Sequence, residues 1–218
     1  MRLGLARAHW INAALICALV PLLATRAAAQ EPEPKPLVVH AELSIAYAKI
    51  PGGDSATVDP GLGFDLAGVF EVRDRWHFVL GFQHTRHKTT DSDLSMKVLQ
   101  LFAEGRYMVK MSMRVEPYLF VRIATWHTAS DIELFDDTNT LVRGHATQTG
   151  PSAGLGAGVL LTLTKRLQLY AAAGGQYLSL GDIDFDGYHV GSSSVSGPSV
   201  FVRTGLSVNF GPDGNVRR

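Results

Sequence analysis

The sequence has a single cysteine, Cys17, and it lies inside the apolar stretch WINAALICALVPLLA of residues 10–24. If that stretch is removed during export, no thiol is left to form a disulfide. A secreted domain of that kind draws its stability from a sizeable core or from a membrane. After residue 29 no run reaches eighteen consecutive apolar residues, so a transmembrane helix is excluded from that part of the chain. Charge of one sign is lacking too. Twenty basic residues balance twenty acidic ones, a balance that says little about partners and gives no reason to expect nucleic acid.

Complete ligand motifs are equally scarce. GLGAG at 154–158 has neither a following helix nor a phosphate-binding lysine, so its glycines are expected to make room for bulky neighbours such as Arg114 and Tyr118. GDIDFDG at 181–187 offers alternate Asp182, Asp184 and Asp186, and DIELFDD at 131–137 is a second acidic segment. Neither completes an EF-hand, so both are expected to be solvated acidic loops. His84 and His87 in QHTRHK have the i,i+3 spacing of a helix or turn, but they fall where a strand enters a loop. No metal ligation and no cofactor are expected.

The first thirty residues carry an address. Arg2 and Arg7 precede the apolar run, and Ala27 and Ala29 form a small-residue A-x-A site before Gln30. This is the order of a secretory signal peptide spanning residues 1–29. An uncleaved anchor is the alternative; Pro21 within the run and the small residues after it favour cleavage. The residues ahead of Cys17 match a lipoprotein cleavage box poorly, so no lipid anchor is expected there. Removing residues 1–29 takes Arg2, Arg7 and Arg26 and no acid, leaving 20 − 3 = 17 basic against 20 acidic residues. A proline-rich segment, 30–36, then leads into the body of the chain at 37–210, and a short tail covers 211–218.

What is abundant is alternation with a period of two. In EGRYMVKMSMRVEPYLFVRIATW (104–126), Arg114, Glu116 and Arg122 share one parity with Tyr118 and Phe120, while Val115, Leu119, Val121 and Ile123 take the other. That period is the signature of a strand with two unlike faces. Strands are expected near 37–49, 59–72, 75–86, 94–110, 112–126, 150–164, 166–180 and 197–210. One parity is apolar or aromatic, as in Leu43, Ile45 and Tyr47, or Trp76, Phe78, Leu80 and Phe82. The opposite parity reads as small or polar throughout: Glu42, Ser44, Asp65, Gln83, Gln100, Glu104, Arg106, Gln176 and Arg203 belong to it.

Connections decide between two architectures. EVRDRW, VKMSM and LTKRL leave only a few residues between strands, whereas the connections near 50–58, 87–93, 127–149 and 181–196 are polar and mostly long. Strict alternation of short and long is what an even-numbered antiparallel barrel produces, with short turns on one side of a membrane and long loops on the other. A soluble sandwich alternates along each strand but has no reason for this rhythm. The expected fold is therefore all-β, an eight-stranded antiparallel up-and-down transmembrane β-barrel. Its first and last strands pair, because an open sheet edge is not tolerated in lipid. Eight strands enclose little space, so Arg114, Glu116 and Arg122 are expected in a packed polar interior with acids such as Glu42, Asp65 and Glu104.

On these residues the chain resembles the small eight-stranded outer-membrane barrels of Gram-negative bacteria, the group of the OmpA transmembrane domain, OmpX and the opacity proteins. RTGLSVNF (203–210), with Gly205, Leu206, Val208 and Phe210, is similar to the C-terminal assembly signal of such barrels. The tail GPDGNVRR departs from members that stop at the terminal aromatic. The resemblance implies a non-enzymatic outer-membrane protein with a structural or surface-interaction role through its outer loops. Its implied partners are outer-membrane lipid and lipopolysaccharide, the barrel-assembly machinery and an extracellular ligand. Two alternatives remain open: a secreted soluble β protein, and a rim-site enzyme resembling the lipid A deacylases. The latter use a His/Ser pair with a carboxylate, for which the place to look is His127, Ser130 and Asp131 or Glu133. The family pattern has Ser two residues after His, where this chain has Ala129. No catalytic residue is assigned.

Overall fold

The computed structural model of the chain describes residues 38–50, 58–73, 75–89, 92–109, 111, 114–135, 141–185, 188–190 and 196–210. The expected signal peptide at 1–29, the proline-rich segment 30–36, the tail 211–218 and the acids Asp136, Asp137 and Asp186 lie outside the described residues.

Among the described residues ten strands follow one another: β1 (Val38–Lys49), β2 (Gly61–Arg73), β3 (Trp76–Thr89), β4 (Ser92–Met108), β5 (Val115–Phe135), β6 (Leu141–Thr162), β7 (Leu167–Ser179), β8 (Ile183–Phe185), β9 (Tyr188–Val190) and β10 (Ser196–Asn209). Each of β1 to β6 pairs antiparallel with the next. β10 pairs with β7 and, on its other edge, with β1, from His40 opposite Asn209 to Lys49 opposite Val200. Eight strands thus close into a barrel, and the ladder at the seam is continued by the Phe210 N–H donating to the Val39 carbonyl at 2.9 Å. Closure gives every spanning strand two hydrogen-bonded neighbours, which is what a backbone in hydrocarbon requires.

The period-two pattern sorts side chains between lipid and lumen. Leu119 is 57 % exposed and Leu155 70 %, while Arg122, three residues along from Leu119, is 1 % exposed. Leu43, Ile45, Leu62, Leu66, Leu80, Leu101, Val121, Val202 and Leu206 all face outward as well. A soluble protein rarely shows so continuous an apolar surface; around a barrel it is the face that meets acyl chains. At the short-turn end Trp76 stacks edge-on against Tyr107 at 5.2 Å, and Arg75 donates to the Tyr107 hydroxyl at 3.0 Å. Phe210 lies at the same end, and Tyr47 and Tyr177 ring the other. Aromatic rings with a polar tip suit both membrane interfaces.

The lumen is filled. At its middle three arginines meet three carboxylates. Arg106 forks onto Glu42, with Nη1 and Nη2 donating at 2.7 and 2.7 Å, and its Nε donates to Glu104 at 3.1 Å. Arg122 Nε donates to Glu104 Oε1 at 2.8 Å and Nη1 to Gln83 and Gln100. Arg203 donates to Asp65 at 3.1 Å and to both oxygens of Glu104 at 2.6 Å. All six groups are buried, and their formal charges cancel, the condition under which ions tolerate so dry a site. Arg122 also lies over the Phe102 ring at 3.8 Å and the Phe201 ring at 4.4 Å, so its flat faces are covered by π-systems.

Three features depart from the sequence-based expectation. The inner face is not small or polar throughout: beside Tyr118, Phe120 and Trp126, which parity already turns inward, Val69, Val79, Val98, Phe102, Leu160, Tyr170, Leu178 and Phe201 are buried in it. Rings packed in so narrow a lumen need volume, and glycines opposite them make the room. A Cβ on Gly158 would overlap Tyr118, and one on Gly156 would overlap Phe120. Arg114, expected inside, is exposed at the turn before β5, because the strand begins only at Val115 and its parity no longer binds. Finally, the region expected as a loop over 127–149 is mostly strand: β5 runs to Phe135 and β6 starts at Leu141.

Candidate functional site

The outer end of the barrel is where the chain departs from a minimal cylinder. β4 leaves β5 after Met96 opposite Ser130, yet β5 and β6 remain paired through Phe135 opposite Leu141. On its other edge β6 leaves β7 above Ser152 opposite Leu178 and is joined by β8, with Ala146 opposite Phe185 and Thr147 opposite Asp184. β9 folds back on β8. The result is a four-stranded sheet, β5-β6-β8-β9, rising from one side of the rim. The Gly181 N–H donating to the Thr149 carbonyl at 3.0 Å and the Gln148 side chain donating to the Gly181 carbonyl at 3.2 Å tie its base.

Beneath this sheet the mouth is shut by apolar side chains: Ile50, Val98, Trp126, Leu178 and Leu180 pack together, all buried. The Trp126 indole N–H donates to Ser152 Oγ at 2.8 Å, which in turn reaches Gln176 at 3.3 Å, so the plug is joined to the polar layer below it. At the opposite mouth Met108, Tyr118, Leu160 and Tyr170 close the lumen. His40 there holds Glu71 at 2.9 Å and stacks on His77 at 6.4 Å. Among the described residues, paired charges at the middle and packed side chains at both ends fill the lumen.

The residues that the sequence singled out are not brought together. His127 points outward, opposite Thr149, whose hydroxyl lies 3.2 Å from its Nδ1. Thr128 points into the barrel and its hydroxyl donates to the Gln148 carbonyl at 3.4 Å. Asp131 does not orient His127; it pairs with His145 across the β5–β6 ladder at 3.0 Å, both side chains well exposed. The Glu133 side chain lies outside the described residues. A nucleophile, a base and an orienting acid within hydrogen-bond reach of one another are not assembled among His127, Ser130 and Asp131. His145 had no signal in the sequence, since its cross-strand partnership with Asp131 exists only because the expected loop is a hairpin.

His84 and His87 fall on opposite faces of β3. His84 faces out beside the Phe64 ring at 5.7 Å. His87 faces in and is fully buried, with Nδ1 3.1 Å from the Asp59 carbonyl and Nε2 2.9 Å from the Thr85 hydroxyl. A carbonyl can only accept, so Nδ1 is the donor and the imidazole anchors the returning loop. Among the described residues no group of three or more His, Cys, Asp or Glu is placed to hold a metal ion.

A family model described as outer membrane protein beta-barrel domain matches residues 15–211. No curated protein matches the sequence. Among solved structures, a major outer membrane protein from Thermus thermophilus is 13 % identical with a TM-score of 0.55, over 79 % of this chain and 99 % of that one. Neisserial surface protein A is 18 % identical over 80 % and 97 %, with a TM-score of 0.49. Ail, the attachment invasion locus protein of Yersinia pestis, is 14 % identical over 80 % and 97 %, with a TM-score of 0.46. At such identities the Thermus structure speaks for the fold alone.

Proposed function

Since the chain belongs to the outer membrane protein β-barrel domain family, we propose that its work in the outer membrane is surface interaction and structural support, carried by the projecting β5-β6-β8-β9 sheet and without catalysis. The observation that carries this reading is that sheet. It extends the chain beyond what is needed to cross the bilayer, and its outermost strands, β9 and the end of β5 past Ser130, have no neighbour on one side among the described residues. Backbone N–H and C=O groups along such an edge are the usual means of docking an extended segment of another chain. An extracellular ligand is met there; lipid and lipopolysaccharide surround the apolar belt. The barrel-assembly machinery is the partner during insertion, with RTGLSVNF in β10 as the segment it reads. Residues 1–29 direct export and are removed, 30–36 form a lead-in, and 211–218 are a tail beyond the last strand.

Replacing residues 132–145 by a short turn tests this. The barrel, closed below Ser130, should reach the outer membrane in normal amount and keep its different migration before and after boiling. Attachment of cells bearing the protein to protein-coated surfaces should fall to the level of cells without it. Unchanged attachment, with the shortened protein present at the surface, would refute the role given to the sheet.

A further inference from the structure

At the short-turn mouth two imidazoles share one carboxylate. His77, half-buried at the start of β3, stands in register with Glu71 on β2 and with Arg106 on β4. His40 on β1 is buried; its ring lies 6.4 Å from that of His77 with 20° between the planes, and its Nε2 is 2.9 Å from Glu71 Oε1. An ionised carboxylate only accepts, so the His40 ring is the donor. Among the described residues, the charged or titratable groups that face His77 from the strands packed against β3 are His40 and Glu42 on β1, Glu71 on β2 and Arg106 on β4, with Glu104 two residues further into the barrel on β4. On β3 itself Arg75 is engaged with the Tyr107 hydroxyl. Glu42 gives both oxygens to the Arg106 fork, and Glu104 serves three arginines. Their charges are already matched within the lumen, and Glu71 carries only one. It balances one protonated ring. Protonating both sets two imidazolium ions 6.4 Å apart, beside the Arg106 guanidinium, against a single carboxylate, and in a half-buried site that repulsion is far stronger than in water.

Directly behind the pair lies the apolar layer of Ala67, Val69, Val79 and Phe102, all buried, in which Val79 stands in register with Val69. The β2–β3 ladder shifts register between Glu71 and Arg73, so the hairpin end that carries His77 can bend where its pairing is already interrupted. We infer that His40 and His77 form an acid-sensitive latch on the short-turn mouth: it is closed while at most one of the two rings is protonated, and uptake of the second proton drives the rings apart and admits water to Val79 and the Arg106–Glu42 pair. Imidazole is the side chain whose charge changes in the mildly acid range that opens such a latch. The device is independent of what the projecting sheet at the other end binds.

Val79→Cys supplies the readout, because the chain without residues 1–29 has no other thiol. The protein is placed in phosphatidylcholine nanodiscs, which leave both mouths accessible, and its reaction with a dithiodipyridine is followed between about pH 7 and about pH 5. Each rate is divided by that of the chain unfolded in urea at the same pH. The thiol should be protected at the upper end of this range, and its relative rate should rise on acidification by up to roughly 25-fold, the limit for one proton taken up by an imidazole of ordinary pKa in the open mouth. His77→Gln and, separately, His40→Gln each leave Glu71 with a single imidazole, so both should keep the thiol protected throughout. His84→Gln, on the outward face of the same strand, should respond to acid as the unsubstituted protein does. In the chain without the cysteine, the temperature at which migration of the folded form is lost should fall over the same range, because the open and unfolded states bind the extra proton, and should fall less in His77→Gln. No rise in labelling of the folded protein, or an undiminished rise in both His77→Gln and His40→Gln, would overturn the latch. A thiol that reacts at the unfolded rate even at about pH 7 would refute the closed mouth and the latch with it.

Discussion

Glu104→Gln is the sharpest perturbation of the lumen, because Glu104 alone contacts all three buried arginines: Arg106 at 3.1 Å, Arg122 at 2.8 Å and Arg203 at 2.6 Å. The amide keeps the shape and removes the charge, leaving three guanidinium groups against Glu42 and Asp65. Breaking a buried ion pair by removing one partner costs about 3–5 kcal/mol, since the other charge stays behind in a dry site. The compensating change is legible in the same geometry. Arg106 keeps its fork on Glu42 and Arg203 keeps Asp65 at 3.1 Å, whereas Arg122 reaches no other carboxylate closer than Asp65 at 3.8 Å. Glu104→Gln/Arg122→Gln therefore restores neutrality with two intact pairs, and its loss should fall short of the summed single losses by about 1–3 kcal/mol. Urea unfolding of protein refolded in vesicles, followed by tryptophan fluorescence and by migration without boiling, gives all four corners of the cycle. A loss below about 1 kcal/mol for Glu104→Gln, or strict additivity in the double variant, would refute the account of a neutral, interlocked lumen.

Other outcomes follow from the same geometry. Leu119→Arg should cost about 2–4 kcal/mol if it lies near the bilayer midplane, and a fluorescent probe should be quenched by lipid-borne quenchers at position 119 and not at 122; the reverse would shift the phase of β5 by one residue. Gly158→Val should lower stability by about 1–3 kcal/mol, mainly through overlap with the Tyr118 ring, with partial recovery on adding Tyr118→Leu because the Ala171 carbonyl also lies within 2.8 Å of the added Cβ; equal damage with and without that second change would remove Tyr118 as the cause. Protease added to intact cells should cut at residues 136–140 or 186–195 and leave the turn between β2 and β3 whole, whereas cleavage confined to that turn would invert the topology.

The barrel was legible because its physics is repetitive. Strand after strand places residues such as Leu43 and Ile45 on one parity and Glu42 and Ser44 on the other, and the short turns EVRDRW and LTKRL fix which ends are neighbours. The outward phase of Leu119 and the inward phase of Arg122 followed from that alone. What was not legible lies where the period-two rule has no fixed meaning. Inside a sealed lumen Phe120, Tyr170 and Phe201 are as suitable as Glu104, because rings pack against glycines and cover guanidinium faces; aromatics on the polar parity were the available sign of this. Over 127–149 the sequence has no sustained apolar parity and reads as loop, although cross-strand pairs such as Asp131 with His145 persist. At the candidate His127 place, continued strand geometry gives Ser130 the other parity, while Asp131, on the same face as His127, is engaged by His145.

Closure of the sheet by β1 and β10 is the claim on which lumen, belt and rim all depend. Its most direct test is a pair of cysteines at Leu43 and Leu206, which face each other across that seam on the lipid side, in protein from which residues 1–29 and with them Cys17 have been removed. In vesicles a short bifunctional thiol reagent should join the two positions within one chain, giving a looped form that runs faster than the unlinked chain on a denaturing gel; the pair Leu43 and Leu119, which lie on strands not paired with each other, should not link. Linkage only between separate chains, or none at Leu43 and Leu206 in protein that has folded, would mean that the first and last strands are free edges and would contradict the barrel.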